Sequence, residues 1–116
     1  MNCTIRSLYL CVTDMDRAIR FYEDFFELPV TERDAIYSVF DINGFRLGLF
    51  AFNEMNESHS FGNNCLPSIE VPSLSILQRK LSDKKVVFPL KRIGINWVCE
   101  FCDSEGNHIE LTAPVE

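Results

Sequence analysis

The chain has 116 residues, the size of one ordinary domain, and its hydrophobic content of 47% is enough to bury a core. A formal net charge of −6 argues against nucleic acid, because phosphate binding needs clustered Lys and Arg. The one local basic pair, Lys84-Lys85, follows Ser82-Asp83 and reads as a solvated helix end.

No segment approaches the length of a membrane span, so no membrane partner is expected. Residues Met1 to Arg6 lack the basic and apolar regions of a signal peptide, and the expected location is cytoplasmic. The five cysteines, Cys3, Cys11, Cys65, Cys99 and Cys102, are odd in number and read as reduced thiols. Cys99 and Cys102 have CxxC spacing, but within a strand they would point to opposite faces, whereas a redox pair sits at a helix N-terminus.

In chain order, Ile5 to Val12 alternates around Leu8, Leu10 and Val12 and predicts a strand. Asp14 caps a helix whose apolar face is Met15, Ala18, Ile19, Tyr22, Phe25 and Phe26, stopping near Leu28-Pro29. A short strand is expected at Val30 to Arg33. Longer ones follow at Ile36 to Phe40 and Phe45 to Phe52, joined by the hairpin turn Asp41-Ile42-Asn43-Gly44. Asn53 to Asn64 has no apolar period and forms a polar connector; within it His59 reads as a surface or lid residue.

The order then starts again. Leu66 to Val71 is a strand, Ser73 an N-cap, and Leu74, Leu77 and Leu81 a helix face. Val86 to Phe88 is a short strand. Trp97 to Cys102 and His108 to Thr112 form a hairpin across Asp103-Ser104-Glu105-Gly106. Val12-Thr13-Asp14-Met15 aligns with Val71-Pro72-Ser73-Leu74. Asp41 to Leu49 aligns with Asp103 to Leu111. The chain therefore divides into half one at 1–52, a connector at 53–64 and half two at 65–116, within a single domain. A two-fold repeat predicts pseudo-symmetry. The fold class expected is α+β, with tandem βαβββ modules forming a curved mixed-sheet cup.

The run Val12-Thr13-Asp14-Met15-Asp16-Arg17-Ala18-Ile19-Arg20-Phe21-Tyr22-Glu23, with Asp103-Ser104-Glu105-Gly106-Asn107-His108-Ile109-Glu110-Leu111 near the C-terminus, resembles the vicinal oxygen chelate superfamily. That group includes glyoxalase I, extradiol dioxygenases and the fosfomycin- and bleomycin-resistance proteins. The resemblance spans nearly the whole chain. It implies a homodimer, and a cup in which His, Gln or Glu ligands from the first and last strand of each half hold a divalent metal.

In this sequence those four positions are Ser7, Gly48, Leu66 and Glu110. Only Glu110 is a strong donor, and one carboxylate does not make a stable divalent site. A displaced site using His108, Glu110 and Glu70 would place His108 about 7 Å along the strand from Glu110. The resemblance thus points to a metal-free branch with no cofactor, binding a small organic molecule.

Its expected ligand-binding residues are Glu110, Arg46 and Glu70 as polar anchors, with Tyr9, Phe50, Trp97 and Phe101 as aromatic walls. Tyr37 belongs to the same aromatic set, and Gly48 leaves room for a ligand. Glu110 also has a structural reading, paired with Arg46 across the pseudo-two-fold. Sequestration without catalysis leads. A lyase or dioxygenase with an atypical metal site using Glu110 is the first alternative, and an interaction module with a vestigial cup is the second. No Gly-rich phosphate loop is present, and no Cys-His or Ser-His-Asp set falls on predicted neighbouring strands.

Overall fold

Leu8 and Leu10 need one apolar side to lie on, and the strand they form is β1 (Ser7–Cys11), with buried Val12 just past its end. A computed structural model describes residues 1–60 and 65–116. The Phe61–Asn64 part of the predicted connector lies outside the described residues. The chain divides into two units, Met1–Ser60 and Phe61–Glu116.

In unit one the Asp14 carboxylate accepts from the Arg17 backbone N–H at 3.0 Å and starts α1 (Met15–Phe26). Glu27, in the left-handed region at φ 58°, ends it two residues before Pro29. Ala18, Ile19, Tyr22 and Phe25 are buried. The hairpin β2 (Tyr37–Ile42) and β3 (Phe45–Phe50) turns through Asn43 and Gly44, at φ 52° and 89°, as a two-residue turn with positive φ at both positions requires. The sheet order is β1-β3-β2. β1 runs parallel to β3, and β2 runs antiparallel to it. The expected strand at Val30–Arg33 reduces to a single bridge from Glu32 to Val39. Pro29 precedes it, and the Thr31 side chain caps the Asp41 N–H, so the segment crosses the edge of β2 without laddering along it. Phe52–Met55, expected to begin in strand, forms a short 3-10 turn.

Unit two repeats the plan: β4 (Ser68–Glu70), α2 (Leu74–Leu81), β5 (Lys85–Ile93), β6 (Asn96–Cys102) and β7 (His108–Pro114). Ser73 Oγ accepts from the Ile76 N–H at 3.3 Å and caps α2. The sheet order is β4-β7-β6-β5, again with one parallel pair. β5 is three times the expected length and forms a hairpin with β6 through Gly94. It is an edge strand with two irregularities in its register, a position that tolerates Pro89 and solvates Lys91 and Arg92. The turn between β6 and β7 is organised by buried Asp103. Its Oδ1 accepts from the N–H groups of Glu105 and Asn107, both at 2.8 Å, and its Oδ2 accepts from Asn107 Nδ2. The fold is α+β, with one mixed sheet per repeat. Unit two is a complete βαβββ module, and in unit one the bridge at Glu32 stands where the first of the three trailing strands would be.

Each sheet has one face against its helix. In unit one that face is Leu8, Leu10, Ser38, Phe40, Leu47 and Leu49; Phe40 packs on Tyr22 and Phe26. In unit two it includes Cys99, Phe101, Ile109, Leu111 and Ala113, all buried and joined by Leu77 of α2. Pairing directly across strands carries this parity from strand to strand.

The turn at Gly44 is testable. A Cβ there meets no atom within 4 Å, so Gly44→Ala strains the backbone alone. It is expected to cost about 1–2 kcal/mol. Urea unfolding should show a lower midpoint at unchanged slope.

Candidate functional site

The open face of unit one, away from α1, carries Ser7, Tyr9 and Cys11 from β1, Arg46, Gly48 and Phe50 from β3, and Tyr37, Val39 and Asp41 from β2. Tyr9, Tyr37 and Phe50 form one aromatic cluster. Their ring centroids lie 5.5 to 6.4 Å apart at steep interplanar angles. Tyr9 is 54% exposed and Tyr37 38%, high values for aromatic residues in mutual contact. Tyr9, Phe50 and Arg46 therefore share one face of this sheet. Arg46 is held by Glu32 at 2.7 Å in an exposed pair, and such a pair contributes little and yields readily to another anion.

The room expected at Gly48 is already filled. A Cβ at position 48 would lie 2.9 Å from Cε1 of Tyr37 and closer still to its Cζ and Oη. The phenol end of Tyr37 occupies the volume that a metal-binding side chain would need. Burial raises the Tyr37 hydroxyl above its ordinary value, Tyr9 adds to this and Arg46 opposes it, so the group stays protonated at neutral pH.

The open face of unit two carries Ser68 and Glu70 from β4, His108, Glu110 and Thr112 from β7, and Val98, Glu100 and Cys102 from β6. Glu110 accepts from Ser68 Oγ at 2.6 Å. Glu100, directly across from Glu110, meets His108 Nδ1 at 2.8 Å, and these two side chains are only 19% and 28% exposed. Glu110 and Glu70 share this face. Within its own unit each charged anchor has a partner: Ser68 for Glu110 and Glu32 for Arg46.

Trp97 and Phe101 do not join the carboxylates. Phe101 pairs with Ile109, is fully buried, and belongs to the core on the α2 side. Trp97 pairs with Ala113 on that side and borders a cleft of about 590 Å3 with Ser73, Gln78 and Arg92. Strand parity decides this: odd-numbered residues of β6 face the helix and even-numbered ones face away. The sequence reading passed over Glu100, whose parity with Glu110 becomes visible once the five-residue turn 103–107 is counted. It also found no Cys-His neighbours, yet Cys102 stands directly across from His108. His59 contacts the Phe52 ring at 5.5 Å.

The four family ligand positions do not fit a metal. Ser7 is a weak donor, Leu66 has none, Tyr37 fills the space at Gly48, and Glu110 is bonded to Ser68. His108 is turned to Glu100, and among the described residues no three His, Cys, Asp or Glu side chains are grouped to hold a metal ion.

The profile of the glyoxalase/bleomycin resistance protein/dioxygenase superfamily matches residues 4–113, and the chain belongs to that family. Solved structures agree in fold. A family enzyme from Burkholderia phytofirmans PsJN superposes with TM-score 0.79 at 14% identity, covering 97% of this chain and 100% of its own. A lactoylglutathione lyase from Agrobacterium tumefaciens gives 0.73 at 19% identity, covering 97% and 94%. A glyoxalase-related enzyme from Fulvimarina pelagi gives 0.77 at 16% identity, covering 95% and 87%. No curated protein matches the chain. No helix among the described residues is long and apolar enough to cross a membrane.

Burial in the helix-side core, with Glu110 adding, pushes the Cys99 thiol from 9.0 up to about 11. Between those values the unfolded chain loses this proton while the folded chain keeps it, so the thiol withdraws stability as pH rises from 9 to about 11. Cys99→Ala should flatten that part of the stability–pH curve measured by urea unfolding. Mass spectrometry after brief iodoacetamide treatment at pH 8 should find exposed Cys3 and Cys65 alkylated and Cys99 intact.

Proposed function

We propose that this protein binds a small organic molecule on its open sheet faces without a metal ion, and that sequestration rather than catalysis is its role. The observation that carries the reading is the donor set. Of the four positions at which the family places metal ligands, one offers a strong donor, and that one is engaged by Ser68. The face of unit one offers instead the exposed rings of Tyr9 and Tyr37 beside half-buried Phe50, with Arg46 as a polar anchor, and the face of unit two separately offers Glu70 and Glu110. Such surfaces suit planar ligands. The net charge of −6 favours neutral or cationic ligands over anions. Family resemblance supports a homodimer.

A metal-dependent lyase or dioxygenase reading rests on one observation: Glu110 shares its face with the His108–Glu100 pair. Titration calorimetry with Ni, Zn, Mn and Fe separates the two. The binding reading expects no stoichiometric metal. One metal per chain, lost in Glu110→Ala, would reverse the order of the two readings.

A thermal-shift screen against cationic antibiotics, neutral planar heterocycles and glutathione conjugates tests binding itself. A ligand at a hundred times its Kd should stabilise the fold by about 2.7 kcal/mol. A flat screen favours an interaction module with vestigial faces.

A further inference from the structure

Gly48 and Tyr37 form an interlock with a chemical consequence. Tyr37 lies across from Phe50 and Val39 lies across from Gly48, so the Tyr37 side chain leans diagonally along the open face to cover the glycine. Among the described residues its hydroxyl makes no hydrogen bond, while its backbone N–H donates to Asp34 Oδ2. That hydroxyl is a donor with no partner among the described residues, and a ligand atom that accepts from it gains a hydrogen bond of its own.

The neighbours limit the ligand further. The three rings touch one another, so no slot between them can enclose an ammonium group, which rules out an aromatic cage. Their exposed surfaces offer stacking and edge contact to a flat molecule instead. Asp41 and Arg46 stand directly across from each other on this face and offset one another in charge, so the aromatic surface itself carries no net preference for an ion and suits an uncharged ligand.

We propose that Tyr37 is the specificity-determining residue of the open face of unit one, its hydroxyl standing where the family places a metal ligand and donating a hydrogen bond to an acceptor atom of an uncharged planar aromatic ligand. This rests on the binding role proposed above and names the ligand class for it. Gly48 is required because only a residue without a side chain lets the phenol reach that place. The atoms a Cβ would strike are the far end of a side chain, so Gly48→Ala displaces Tyr37 and leaves the sheet intact.

The test uses two probes of one shape, quinoline and naphthalene, which differ by a ring nitrogen that accepts a hydrogen bond. Each is titrated into the full chain and followed by amide chemical shifts of β1, β2 and β3. Quinoline is expected to bind more tightly than naphthalene. Tyr37→Phe should cut quinoline affinity about tenfold, the size of one hydrogen bond, and leave naphthalene unchanged. Gly48→Ala should remove the preference for quinoline while its thermal unfolding shows a folded protein. A quinoline-to-naphthalene ratio unaltered in Tyr37→Phe overturns the role of Tyr37 and spares the binding surface. Failure of both probes to shift the wild-type face overturns the binding surface, and this inference with it.

Discussion

Strand register is the constraint on which the rest of this structure depends. Each sheet has one face sealed by a helix and one left open, and a slip of one residue would exchange them. Two turns prevent the slip. Asn43-Gly44 adopts the left-handed angles of a two-residue hairpin, and Asp103 ties the backbone of Glu105 and Asn107 in the five-residue turn of the second repeat. Those few hydrogen bonds keep Phe40, Phe101 and Leu111 buried while Tyr9, Tyr37 and Glu110 remain on the open faces.

The open faces of the two repeats have diverged. The first is aromatic and closes over its own glycine; the second is a polar network in which Ser68, Glu110, Glu100 and His108 form two bonded pairs. Glu100 and Glu110 lie directly opposite as like charges, and each is eased by a separate donor. Metal coordination needs several donors converging with free lone pairs. Here the donors are either missing, as at Leu66 and Gly48, or already bonded. The fold of the family persists, while of the four positions matched to its metal ligands only Glu110 carries a strong donor.

Much of the fold was legible because local signals agreed. The Asp14 and Ser73 caps, the Asn-Gly turn and the alternating apolar strands each carry their own mechanism, and the repeat doubled every signal. β5 was cut short because Pro89, Lys91 and Arg92 interrupt the apolar pattern, and only its place at the edge of the sheet makes them acceptable. The site was less legible for two reasons. Trp97 and Phe101 were assigned to the wall by residue type, although their parity in β6 puts them on the helix side. Gly48 was read as space, although whether a glycine leaves a hole depends on a neighbour across the strand. Tyr37, two residues along β2 from Val39, fills it.

The central claim is that the family's metal has no home in this chain and that an organic ligand takes the open faces instead. Anomalous diffraction from crystals grown with millimolar nickel or zinc tests it most directly. The account predicts no ordered peak within coordination distance of Glu110, and Tyr37 covering Gly48. An anomalous peak bonded to the Glu110 carboxylate together with His108 Nε2, with Glu110 released from Ser68, would contradict it.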